Sequence, residues 1–359
     1  MEPRAPKPKP LEIAHLFAAI LRVFLLAPLA ACTPDPGRLF LPAGDIRPPT
    51  LLSASQANPS EFLARFDEDI DAVEGSFSFS PPGSEVEPES AGQELKVRFS
   101  PPLSPGVACS LSGEVQDRSG NSLRFIFSFI GFNGRPALLR ITEVQTGKNS
   151  SASNNHRDYL EFSVLEAGNL GGIQVKWCST VKEMEYVFPP CEVAKGEFLV
   201  LHCAPEGIPE EKDELGQDLA LSGGVDSNPG ARDFWTKAGG LPDETGLVAL
   251  SPREGDPFED GLLYVAADKA GGIDSPRLKT LASQLGSEGL WVFSPVPSWE
   301  DGFQWKPSTS RSLFRKAGNV SGKEAWEVGE PGSQSPGSLA SQPPLPSRKK
   351  TKRSSTLPK

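Results

Sequence analysis

The sequence predicts an all-β protein built as two β-sandwiches in tandem, with one short helix in an insertion of the second. Three observations predict it. Between Leu139 and Cys203 short apolar runs follow one another, separated by Asn, Gly and Pro clusters, the spacing of a sandwich. Within one of them Ile173, Val175 and Trp177 alternate with Gln174 and Lys176, the period of a half-buried strand. The chain also carries 35 Gly and 36 Pro in 359 residues, which suits strands joined by turns, and long helical periodicity is almost absent. That length accommodates two domains and their ends.

The N-terminus sets the expected compartment. Arg4, Lys7 and Lys9 precede an apolar run from Leu16 to Ala31, interrupted at Arg22 and closing on Leu29-Ala30-Ala31-Cys32. Small residues before a cleavage point mark a signal peptide, here residues 1–31. The Cys directly after them resembles the lipobox of bacterial lipoproteins. That resemblance implies cleavage before Cys32, diacylation of its thiol and firm attachment to a bilayer. The alternative is an uncleaved signal anchor, for which the apolar run is too short and too interrupted. Thr33 stands where some bacteria place an inner-membrane retention Asp, so the same resemblance implies the outer membrane. Residues 32–49, rich in Pro, Gly and Asp, read as a tether.

From Thr50 the chain turns strand-like, with Phe62, Ala64 and Phe66 alternating, then Phe77 and Phe79, then Leu95 to Phe99. Arg65 to Ile70 and the Asp117 to Asn121 turn resemble the first core strand and the closing motif of a bacterial Ig-like domain, over residues 50–133. In that turn Asp117 is placed to accept backbone N–H groups. The next stretch, 136–337, is similar to the lamin-tail domain, an immunoglobulin-like sandwich. The resemblance lies in Ile141 to Val144, Asp158 to Phe162, Gly171-Gly172 before a Trp-bearing strand, Phe188-Pro189-Pro190, Phe198 to Leu201, Ser310 to Arg315 and Ser335-Pro336-Gly337. Thr245 to Leu250 and Gly261 to Val265 read as its next strand pair. Two insertions interrupt it, at about 204–240 and 266–308. The first is acidic and Gly-rich and reads as a surface loop. The second holds the helix, with Ser275 as cap, Pro276 at its first position, an apolar face of Leu278, Leu281, Ala282 and Leu285, and Gly286 as its end. All six Trp fall between 177 and 326, which predicts the larger core in the second sandwich. Residues 338–359 read as a disordered basic tail.

Chemistry is sparse. Of three His, His15 falls in the signal peptide, His156 reads as a solvent-exposed loop residue, and His202 sits in a strand beside Cys203. A Ser-His-Asp set drawn from Ser150 or Ser151, His156 and Asp158 has no nucleophile elbow or oxyanion motif beside it. No CxxC or HxxxH spacing supports a metal at His202 and Cys203. The acidic cluster Asp67, Glu68, Asp69 and Asp71 invites calcium but lacks EF-hand spacing. No catalytic residue, cofactor or metal is therefore expected. The net charge of -10 argues against nucleic acid as a partner. The basic run Arg348 to Arg353 reads either as a contact with anionic lipid or wall polymer or as a solubilising tail.

Export favours a disulfide among Cys109, Cys178, Cys191 and Cys203, which allow three full pairings. A hairpin of Ile173 to Cys178 with Glu185 to Phe188 sets Cys191 roughly 20 Å from Cys178. The return of Phe198 to Cys203 then makes Cys178 and Cys203 the expected pair. The reading as a whole is a lipid-anchored envelope protein with a structural or adhesive role, binding an envelope protein or polymer through its sandwich loops. The alternative is an exported hydrolase of nuclease or phosphatase type, because bacterial lamin-tail domains often accompany such enzymes.

Overall fold

The computed structural model describes residues 45–147, 156–268, 273–294, 297–318 and 321–338. Cys32, the expected signal segment, most of the tether, Ser150 and Ser151 and the basic tail lie outside the described residues. The chain divides into two units, Met1–Arg47 and Pro48–Lys359. The second unit holds both sandwiches, and its many strands beside one α-helix among the described residues make the fold all-β as expected.

The first sandwich comprises β1 (Leu51–Asn58), β2 (Glu61–Phe66), β3 (Asp71–Ala72), β4 (Ser78–Ser80), β5 (Glu85–Ala91), β6 (Glu94–Ser100), β7 (Ala108–Gln116) and β8 (Ser122–Ile130). One sheet has the order β1-β2-β6-β5; in the other, β7 pairs with β8 and also with β3 and β4. The alternation in β6 puts Leu95, Val97 and Phe99 on one face, where they meet Phe62, Ala64 and Phe66 of β2 and Leu111 and Val115 of β7. Asp117 closes the β7–β8 turn as its motif predicts. One carboxyl oxygen accepts the N–H groups of Ser119 and Asn121, both at 2.8 Å.

The second sandwich comprises β9 (Leu138–Gln145), β10 (Tyr159–Glu166), β11 (Gly168–Asn169), β12 (Gln174–Cys178), β13 (Glu183–Val187), β14 (Glu192–Val193), β15 (Phe198–His202), β16 (Ala231–Trp235), β17 (Gly246–Ser251), β18 (Asp260–Ala266), β19 (Phe303–Trp305), β20 (Leu313–Arg315) and β21 (Trp326–Val328). A six-stranded sheet has the order β16-β15-β10-β9-β20-β21, a five-stranded sheet the order β13-β12-β17-β18-β19, and β11 pairs with β14. Ile141, Leu160, Phe162, Leu199 and Leu201 from the first meet Val175, Trp177, Val248, Leu262 and Tyr264 from the second. This is the larger core, as the Trp distribution predicts. The expected hairpin forms, with Lys176 opposite Glu185.

Both insertions are built into the core, a correction to the surface-loop reading of 204–240. β16 extends the six-stranded sheet as a parallel neighbour of β15, and Phe234 packs edge-on to Phe188 at 5.0 Å. Five residues, Ala231 to Trp235, are too few to stand out inside a polar stretch. In 266–308 the helix α1 (Pro276–Ser287) buries Leu278, Leu281, Ala282 and Leu285 as expected. Its ends differ from expectation. The Ser275 side chain makes no capping bond, and the helix runs through Gly286; Gly289, at φ +74, takes the left-handed conformation just past it.

The sandwiches meet backbone to backbone. A Cβ on Gly106 would lie 2.4 Å from the Gly172 nitrogen, and one on Gly171 2.5 Å from the Pro105 oxygen. Asn133 spans the contact, donating to Asn169 and Gly171 carbonyls at 2.8 Å each.

The cysteine pairing is also corrected. Cys109, Cys178, Cys191 and Cys203 are four free, buried thiols, and no bridge joins Cys178 to Cys203. Cys178 ends β12 in the five-stranded sheet, whereas Cys203 follows β15 in the six-stranded one. The hairpin geometry held, but the strands carrying the two thiols lie in different sheets.

Candidate functional site

The outer face of the six-stranded sheet carries a layer of buried ionisable groups. Strand register builds it in two rows: Gln145, Tyr159, His202 and Trp235 in one, Glu143, Glu161, Val200 and Asp233 in the next. Alternation along β9, β10, β15 and β16 sends these side chains away from the main core. All but the half-buried Trp235 are nevertheless buried, because residues 206–230 and the C-terminal segment Gln334–Ser338 contribute groups that bond to this layer.

Each row is tied by specific bonds. Tyr159 Oη donates to Glu143 Oε1 at 2.5 Å, and the Ser335 N–H donates to Glu143 Oε2 at 3.3 Å. Thr142 Oγ1 donates to Glu161 Oε1 at 2.6 Å, and the Gly337 N–H to Glu161 Oε2 at 2.8 Å. All four carboxyl oxygens thus accept from the chain itself. Burial pushes Glu143 up to about 7, against the hydrogen bonds from Ser312, Tyr159 and Ser335. Burial, then the charge of Glu143, pushes Glu161 up to about 8. The arrangement works as a clasp: two carboxyls on the sheet hold the turn at Ser335–Ser338.

His202 faces this layer. Its Nε2 lies 2.9 Å from Asp233 Oδ1, and its ring stacks on Trp235 at 3.9 Å. Trp235 in turn donates to Ser222 at 2.9 Å. His156 is not the solvent-exposed residue expected. Its Nδ1 lies 2.5 Å from Oδ1 of buried Asp226, a bond that raises its pKa, and Arg157 N–H donates to the other oxygen. In the acidic cluster of the first sandwich, Asp67 accepts the Thr50 N–H at 2.7 Å, and Asp69 pairs with Arg118 at 2.7 Å.

Sequence reasoning missed Glu143, Glu161, Asp226 and Asp233. The signal for the first two was present, since each sits on the face of its strand opposite the apolar one. Nothing local announced that distant segments would cover that face.

A second feature is open. A cleft of about 390 Å³ is lined by Ser80, Ser110, Ser128, Phe129 and Glu254. It adjoins one of about 240 Å³ where Ile130 and Gly131 meet Gly171, Gly172 and Arg253. Arg253 stands 5.0 Å above the Phe132 ring and bonds Asp256 at 2.8 Å. Hydroxyls and a carboxylate therefore line a groove at the junction of the two sandwiches.

The family described as TP_1001 protein second domain matches residues 137–328, from just before β9 to the end of β21. An uncharacterized protein of Treponema pallidum (strain Nichols) is 27% identical over 268 residues, covering 71% of this chain. The chain spans 63% of that relative's length. Among solved structures, a DUF4876 family protein from Bacteroides thetaiotaomicron has a TM-score of 0.27 at 11% identity, covering 74% of this chain and 90% of its own. The N-terminal part of the bacterial S-layer protein SbsC has a TM-score of 0.21 at 13% identity, covering 60% of this chain and 43% of its own.

Proposed function

The chain belongs to the TP_1001 protein second-domain family, and on that premise we propose that it is a lipid-anchored cell-envelope protein with a structural or adhesive role. In this reading the first sandwich is a bacterial Ig-like domain and the second a lamin-tail-like domain, the two held off the membrane by residues 32–49. The observation that carries it is Leu29-Ala30-Ala31-Cys32 at the close of a basic and then apolar N-terminus. Diacylation there would attach the chain by its first mature residue, leaving both sandwiches outside the bilayer. The groove at the sandwich junction supports the binding part, because its hydroxyls and Glu254 suit a polar envelope polymer or peptide.

The test is expression in a bacterial host with a clickable fatty acid, followed by mass spectrometry of the mature N-terminus. A peptide beginning at an acylated Cys32, lost in Cys32→Ala, is the expected result. An intact peptide spanning Ala31 and an unmodified Cys32 would overturn the anchoring and with it the proposed location.

A further inference from the structure

Edge strands present unpaired N–H and C=O groups, and proteins guard them with charge, Pro, bulges or shortness. In the first sandwich three edges are guarded. β5 carries Glu85, Glu87, Pro88 and Glu89. β3 and β4, on the side of β7 away from β8, are two and three residues long. β1 has register shifts between Leu51 and Ser53 and between Gln56 and Asn58.

The fourth edge, β8, has none of these devices. It pairs with β7 over nine residues without a shift and contains no Pro. Its one charge, Arg124, is answered at 2.7 Å by Glu114 of its own chain. Among the described residues no strand pairs with its other side, and Gln56 of β1 accepts the Phe132 N–H just beyond its end. The side chains are unfinished too: Ile126 is 73% exposed, and Phe125, Phe127 and Phe129 are only partly buried.

We propose that β8 pairs antiparallel with β8 of a second copy about Ile126, joining two four-stranded sheets across a two-fold axis. The strand's own pattern selects this occupant. Around Ile126 the inward positions are Leu123 and Phe125 on one side and Phe127 and Phe129 on the other. An antiparallel copy therefore sets Phe125 against Phe127 and Leu123 against Phe129, apolar on apolar at every inward position. It also extends the Phe125–Phe127 stack, whose centroids lie 4.5 Å apart. The outward row sets Arg124 against Ser128 of the second copy, so no like charges face one another, and Arg124 keeps Glu114. A single shared edge is small for an interface, so the dimer is expected to form in the micromolar range.

Sedimentation of the full chain in detergent micelles is expected to show a reversible dimer whose share rises with concentration. Ile126→Cys lies on the axis and is expected to give a 126–126 disulfide under mild oxidation, whereas Leu52→Cys on β1, also exposed at 59%, is not. Ile126→Lys sets like charges face to face and is expected to weaken the dimer about tenfold or more. Its thermal unfolding should be unchanged, because the side chain points into solvent. A chain that stays monomeric to about 100 µM overturns the proposal. So does a dimer that survives Ile126→Lys without a 126–126 linkage, or one that crosslinks through position 52 instead.

Discussion

Glu143 and Glu161 are direct partners across β9 and β10, and both carboxyls are buried under the segment they hold. Two like charges cannot both be ionised cheaply there, so the pair keeps protons that exposed carboxyls would release.

That retention predicts a pH dependence of stability. An unfolded Glu releases its proton near 4.5, whereas the folded pair holds protons up to about 7 and about 8. Between those values the folded state binds more protons than the unfolded one, so stability falls as pH rises. His156 acts in the same direction, because its bond to Asp226 raises its pKa and is lost as pH rises through it. The melting temperature is therefore expected to drop between about pH 5 and about pH 8.5. Glu161→Gln keeps an acceptor for Gly337 but removes one charge, and should flatten the profile while leaving the His156 part. A wild-type profile that is flat over that range would refute the clasp.

His202 and Asp233 give a second prediction. Both side chains are 1% exposed. Removing one leaves the other buried without its partner, so His202→Ala and Asp233→Ala should each cost about 3 kcal/mol or more in urea unfolding. The double variant should cost clearly less than the two singles together. Simple additivity would show that the two groups do not act as a unit.

The legible parts of this fold were those whose signal is local. The β6 and β12 alternations, the Asp117 turn and the apolar face of α1 all follow from residues within one element. The inserted strand β16 was hidden because its partner β15 precedes it by a polar stretch and pairs in parallel, with no turn signal between them. The clasp was hidden for the same reason. Glu143 and Glu161 occupy outward positions that alternation assigns to solvent, and the residues that cover them, such as Ser335 and Gly337, lie more than a hundred positions away. The Cys178–Cys203 expectation failed on a related point: strand direction can be read along the chain, but sheet membership cannot.

The first insertion can be tested directly. Replacing residues 206–239 with a short Gly-Ser linker removes β16, Phe234 and Glu214, whose carboxylate accepts the Asp233 N–H at 2.9 Å. Tyr159, Val200 and His202 then lose their cover. The variant is expected to lose the cooperative transition of the second sandwich and its resistance to protease. A variant that melts as sharply as the parent would show that the segment is peripheral after all.

The junction between sandwiches gives the last prediction. Gly106 sits at φ +73, and any Cβ there meets the Gly172 backbone at 2.4 Å. Backbone on both sides leaves no flexible side chain to move aside, so Gly106→Ala must part the two sandwiches. Gly75 provides the control: its φ is +72, but a Cβ there meets nothing within 4 Å. Ala at either position carries the left-handed backbone strain, about 1 kcal/mol or somewhat more. Only Gly106→Ala also breaks the contact. Chymotryptic cleavage at Phe132, beside the Asn133 link, is expected to accelerate about tenfold in Gly106→Ala and little in Gly75→Ala. Equal acceleration in both would assign the effect to strain alone and leave the close approach without a role.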